Sequence, residues 1–218
     1  MKKSILILMI SMLTFVGKAY ADYTYGISAA LTYIDASGTE TEGGEQNSTS
    51  ADNTVVIPSL FAEYAYTDKI SVGLDYIPLK ADVSSSTKKV TKTEKSVTGT
   101  NTTTSTSRVQ EAQAELQNHT TLYSNYMLND SLFLKAGVAY VKLNVNESLG
   151  TGSKYGNEDI FGAVIGIGVK QDKIRMEVVY TDYDDISLTS SVARTGVTTN
   201  NKIDADLDTV QFKLSYAF

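Results

Sequence analysis

The last nine residues, 210–218, read Val-Gln-Phe-Lys-Leu-Ser-Tyr-Ala-Phe. Side chains of an extended strand point alternately to its two faces, so Val210, Phe212, Leu214, Tyr216 and Phe218 share one face and Gln211, Lys213, Ser215 and Ala217 the other. One face is wholly apolar and the other is mixed. A strand of this kind, aromatic to its final residue, fits the wall of a membrane barrel with lipid on one side and a lumen on the other.

The same alternation recurs to give eight predicted strands. They cover about residues 22–34, 54–66, 70–82, 109–128, 131–145, 159–170, 174–183 and 210–218. The outward rows are Tyr23 to Tyr33, Val56 to Tyr66, Ile70 to Pro78, Leu132 to Tyr140, Phe161 to Val169 and Ile174 to Tyr180, each read at every second position. The fourth strand is the most mixed, with Ala112, Ala114, Leu116, Asn118, Thr120, Leu122, Ser124, Tyr126 and Leu128 expected to face outward. Beyond the first residues no window approaches the run of about 18 apolar residues that a spanning helix requires.

The connections alternate as well. Short turns are expected near Asp68, Asp130 and Asp172, and long external loops at 35–53, 83–108, 146–158 and 184–203. An antiparallel up-and-down barrel of eight strands has this rhythm, with both termini on the periplasmic side. Tyrosines near both predicted strand ends supply two interfacial girdles in a chain without tryptophan. Pro58 and Pro78 are expected opposite one another across the second hairpin, where the two strands loosen toward the outer rim or a bulge forms.

Residues 1–21 read as a secretory signal peptide: Met1-Lys2-Lys3, an apolar run over 4–16, and Ala19-Tyr20-Ala21 as the small-x-small cleavage site. Its removal takes away Lys2, Lys3 and Lys18, leaving 16 of the 19 basic residues against 25 acidic ones, a net charge of −9. An acidic chain without a basic patch argues against a nucleic-acid partner. The absence of cysteine excludes disulfides and thiolate chemistry. One barrel domain, 22–218, is expected.

The ending, with Phe212, Leu214, Tyr216 and Phe218, resembles the C-terminal signature of bacterial outer-membrane β-barrel proteins. Strand number and loop rhythm resemble the small OmpA-like and opacity-like barrels of the porin superfamily. The resemblance implies residence in the bacterial outer membrane among lipid and lipopolysaccharide. It also implies delivery by periplasmic chaperones, reading of the C-terminal signal by the barrel-assembly machinery, and no cofactor.

Glu63, Asp75, Lys135, Arg175, Glu177 and Lys213 all occupy the face opposite the apolar rows. A basic residue on the lipid face at mid-bilayer costs about 2–4 kcal/mol, so this sorting is what a membrane enforces. Counted from the nearest turn or chain end, the six fall in one layer within a lumen just wide enough to be filled by side chains. Buried there, three acids and three bases require one another. A cross-linked plug is therefore expected, with a narrow or gated channel as the alternative.

His119, the single histidine, is placed on the lumen side between Glu115 and Tyr123. Some small outer-membrane barrels deacylate lipid A with a His-x-Ser pair and an acid, and here Thr121 stands where that serine would be. An interior histidine is the favoured reading and a lipid-modifying enzyme the second alternative. A single His without Cys also falls short of the usual metal-ligand sets.

The loops are hydrophilic. Glu40, Glu42 and Glu45 make the first acidic, and Lys88, Lys89, Lys92 and Lys95 make the second basic. Glu45-Gln46-Asn47-Ser48-Thr49 fits an extended bacterial glycosylation pattern at Asn47. The expected role is non-enzymatic: an envelope protein whose loops present an adhesion or recognition surface.

Overall fold

The computed structural model describes residues 23–42, 45–85, 87–98, 102–148, 154–191 and 200–218. The expected signal peptide lies outside the described residues. Among the described residues there are eleven strands: β1 (Tyr23–Glu42), β2 (Glu45–Ala65), β3 (Ile70–Ile77), β4 (Ala81–Asp82), β5 (Lys88–Thr98), β6 (Thr102–Met127), β7 (Leu132–Ser148), β8 (Asn157–Gln171), β9 (Ile174–Tyr183), β10 (Ile186–Thr189) and β11 (Lys202–Ala217). All pairing is antiparallel. The sheet runs β1-β2-β3-β6-β7-β8-β9-β11 and returns to β1, with Gly26 opposite Ala217 and Thr41 opposite Lys202 across the seam. The chain is thus an eight-stranded barrel. β4 and β5 continue the line of β3 along β6, and β10 pairs with the upper part of β11.

Polar side chains at the tight turns bind the backbone and so fix the register. Thr67 Oγ1 accepts from the amides of Lys69 at 3.2 Å and Ile70 at 3.0 Å. Asn129 Oδ1 accepts from Ser131 at 3.0 Å and Leu132 at 2.8 Å. The third turn is made by Asp172 in the left-handed region, φ 52°, a conformation that Asp tolerates better than most residues. At the seam the Phe218 amide donates to the Tyr25 carbonyl at 2.9 Å.

Burial alternates along the strands, and the apolar rows face out. Val56 is 71% exposed, Ile165 60% and Phe212 58%. In a water-soluble protein such a continuous band would be an association or aggregation surface; in lipid it costs nothing. Aromatic pairs sit toward its edges, Tyr23 with Tyr64 and Tyr25 with Phe218 at the turn end, Tyr140 with Phe161 at the other.

The interior has two storeys. Nearer the turns it is polar and charged. Farther up it is an apolar core of Ile34, Ile57, Ile77, Leu116, Val141, Leu143, Ile160, Val164, Leu188 and Leu207. The ions were expected in one layer of the lumen, and this core was not anticipated. Its residues stand on the inward parity of long strands, where Ala139, Val141 and Leu143 follow Lys135 at successive even steps.

Strands also run on into segments expected as loops. Residues 35–42 pair with residues 45–52, with Asp35 opposite Asp52 and Glu42 opposite Glu45. Residues 83–108 include β5 and the start of β6, paired from Lys88 with Ala112 to Thr98 with Thr102. Both segments are rich in Ser and Thr, and Thr, being β-branched, favours the pleated backbone as readily as it suits a solvated loop.

The fourth-strand expectation fails above Asn118. There φ is 54°, and the register against β7 slips between Gln117 and Thr120, so two residues oppose one. This β-bulge reverses the facing of everything beyond it. Leu116 is therefore buried and Ala114 packs against the core, where both were expected to face outward. Pro58 lies within an unbroken β2, and β3 ends at Ile77, just before Pro78. Pairing between β2 and β3 stops at Leu60 with Tyr76, two steps short of the two prolines.

Candidate functional site

The lower storey of the lumen collects the six strand-borne ions. β2 supplies Glu63, β3 Asp75, β7 Lys135, β9 Arg175 and Glu177, and β11 Lys213, and Asp75, Lys135, Arg175, Glu177 and Lys213 are 5–7% exposed. They join as three pairs. Lys135 Nζ meets Glu177 Oε2, Arg175 Nη1 donates to Glu63 Oε2 at 2.7 Å, and Lys213 Nζ donates to Asp75 Oδ2 at 2.5 Å. Lys213 is opposite Glu177 in the strand register, yet it bonds across the lumen to Asp75. Two of the pairs thus join β9 or β11 to β2 or β3, bridging facing parts of the wall.

Neutral neighbours complete the layer. Glu63 Oε2 also accepts from Asn125 Nδ2 at 2.9 Å and Tyr123 OH at 3.2 Å, and Ser59 Oγ donates to Asp75 at 3.1 Å. Lys135 Nζ lies 4.1 Å from the Tyr123 ring centroid, and the Arg175 guanidinium 5.2 Å from that of Phe61. These are cation–π distances. Each carboxylate therefore meets a cation, and Glu63 and Asp75 meet further donors as well, as burial demands. Sequence reasoning centred on charge passed over Ser59, Phe61, Tyr123 and Asn125. Their signal was available, because all four share the inward parity with Glu63.

Glycines make the room. A Cβ on Gly73 would stand 2.4 Å from Tyr123 Cζ, and one on Gly168 2.5 Å from Phe133 Cζ. A small vestibule at the turn end, bordered by Thr24, Thr67, Lys69 and Lys170, ends at Glu63 and Arg175.

His119 does point inward, on the boundary between the two storeys, and its Nε2 is 2.9 Å from the Tyr183 hydroxyl. Glu115, expected beside it on the lumen side, is separated from it by the bulge. It instead accepts from Lys80 at 3.3 Å, Gln117 at 3.0 Å and Asn144 at 3.4 Å. Thr121 is buried on β6. No hydrogen bond joins His119, Thr121 and Glu115 to one another among the described residues.

The C-terminal row lies on the opposite side of the wall from the ions. Phe212, Leu214, Tyr216 and Phe218 are all exposed on the outer face, 44–61%. Asn47 is exposed near the tip of the β1–β2 hairpin, opposite Glu40.

No protein-family model matches the chain, and neither does any curated protein. Among solved structures it is similar to the outer membrane protein AlkL in lipid bilayers, at 14% identity over 93% of each chain with a TM-score of 0.49. It is similar also to the outer membrane protease OmpT from Escherichia coli, 11% identical over 92% of this chain and 99% of that one, TM-score 0.46. A third is Ail, the attachment invasion locus protein of Yersinia pestis, solved with the heparin analogue sucrose octasulfate. That match is 10% identical over 88% of this chain and 99% of the other, TM-score 0.40.

Proposed function

We propose that this chain is a non-enzymatic integral protein of the bacterial outer membrane. In this reading the barrel is closed to diffusion, strengthens the envelope and carries hairpins outside it for adhesion or recognition. The observation that carries this is the lumen: three ion pairs tie its walls together in the lower storey, and apolar side chains pack the upper one. A route for solute would have to part these pairs, and each ion left alone away from water costs several kcal/mol. The outward apolar band with aromatic residues toward its edges supports placement in a bilayer. In this placement the tight turns and both termini face the periplasm, and lipid and lipopolysaccharide surround the wall. The exposed row ending in Phe218 serves the assembly machinery, and periplasmic chaperones hold the chain before insertion. Contact outside falls to the β1–β2 and β5–β6 hairpins.

Two measurements test this together. Purified protein in planar bilayers should show no steady open conductance, and large stable openings would overturn the closed lumen. Cells expressing a variant lacking residues 84–107 should lose binding to host cells, matrix or phage that the full chain supports. Unchanged binding to all three would overturn the contact role of that hairpin.

A further inference from the structure

The turn joining β8 to β9 closes off a groove on the outside of the barrel. Its volume is about 640 Å³, within the range of about 300–1,000 Å³ usual for small-molecule sites. The floor is apolar. Val169 of β8, Ile174 and Met176 of β9 and Tyr216 of β11 form a block of outward side chains, with Val169 opposite Met176 and Tyr216 opposite Ile174 in the register. All four are exposed. The rim is cationic. Lys170 and Lys173 border the groove, and Asp172 is the one acid among its lining residues.

Backbone bonds hold this rim in place. The Lys170 amide donates to the Ser131 carbonyl at 2.8 Å and the Ala217 amide to the Lys173 carbonyl at 2.8 Å, so the turn is tied on both sides. Lys173 Nζ lies 5.8 Å from the Tyr216 ring centroid, which stations its ammonium over an aromatic at the edge of the apolar band. Neither lysine forms an ion pair with any carboxylate of the described residues, that of Phe218 included. The other tight turns do not repeat the arrangement: Asp68 stands beside Lys69 in the first, and Asp130 is the sole charge of the second.

Two unpaired ammonium groups beside an apolar floor fit a molecule that is anionic at one end and apolar at the other. In the bilayer placement proposed above, on which this inference rests, the groove spans the boundary between acyl chains and headgroups on the periplasmic side. A soluble anion would leave the floor uncovered, and a zwitterionic headgroup would bring a cation of its own to the lysines. We infer that the groove seats an anionic phospholipid: its phosphodiester meets Lys170 and Lys173, and an acyl chain lies along Val169, Ile174, Met176 and Tyr216. A lysine near the membrane surface is worth about fivefold in affinity for anionic lipid. Two lysines against one aspartate leave one net charge, so a preference of about fivefold over a zwitterionic lipid is expected.

The chain has no tryptophan, so a single introduced one reports on a single place. The test puts the full barrel carrying Met176→Trp into mixed vesicles of phosphatidylglycerol and phosphatidylcholine, with one or the other lipid brominated, and reads quenching at low salt. Phosphatidylglycerol should be favoured about fivefold at this position, and not at all when the reporter is Val72→Trp on β3. Lys170→Gln/Lys173→Gln should abolish the preference at the groove, while Lys69→Gln should leave it. Val169→Trp is the second reporter on the floor should Met176→Trp fail to fold. No preference at the groove, an equal one at Val72→Trp, or one that survives the double substitution would overturn the proposal. Loss of the preference on adding glycerol phosphate at constant ionic strength would assign the lysines to a soluble phosphate and overturn it likewise. If brominated lipid quenches neither reporter, the bilayer placement itself falls; quenching of both without a preference removes the lipid seat alone.

Discussion

Lys135 shows what a single buried ion demands. Its ammonium meets Glu177 and rests on the Tyr123 ring, and removing it leaves Glu177 without that cation deep in the lumen. Breaking one partner of a buried pair costs about 3–5 kcal/mol, whereas replacing both by apolar groups of similar size is often neutral. Lys135→Met should therefore lower the midpoint of denaturant unfolding in detergent, and Lys135→Met/Glu177→Leu should recover most of the loss. A double variant no more stable than the single would show that the pair is not the unit that matters. The six ions were legible in the sequence as a set, since parity alone sends them inward. Their pairing was not. Lys213 bonds to Asp75, five positions round the ring in one direction and three in the other, and no spacing along the chain encodes a contact across a lumen.

At the scale of the element, the bulge on β6 decides which residues the upper lumen receives. Asn118 adopts φ 54°, and that one irregularity turns Leu116 in and leaves Glu115 among Lys80, Gln117 and Asn144. Deleting Asn118 would remove the extra residue and restore strict alternation with Leu116 still facing in and Glu115 still away from the apolar core. Such a variant should give the heat-modifiable band of a folded barrel, as should Asn118→Gly, which keeps the conformation available, whereas Asn118→Val, whose β-branched side chain resists a positive φ, should give less of it. A deletion variant that fails to fold would refute the role given to the bulge. The sequence alternates on both sides of Asn118, but a period-two pattern cannot announce that its phase has slipped. For the same reason the strand count, the short turns and the lower half of every outward row were readable in advance. The extended hairpins were not, because Ser and Thr serve a paired strand and a solvated loop equally well.

For the molecule as a whole, the proposed function houses stability and external contact apart. The core described above lies within the ring. Removing residues 84–107 should thus leave the unfolding midpoint of the barrel within about 0.5 kcal/mol of the full chain, the range of surface changes remote from the core. A large loss would mean that the β5–β6 hairpin braces the wall. The lumen pairs carry a further consequence, for how the molecule comes into being. Glu63 and Asp75 arrive with the early strands, Arg175 and Lys213 with the late ones, so neither of these bonds exists while the sheet is still open. An insertion intermediate must keep those bare ions wet at its unfinished rim. Shutting the cylinder and neutralising its contents are then a single step, taken all at once or not at all.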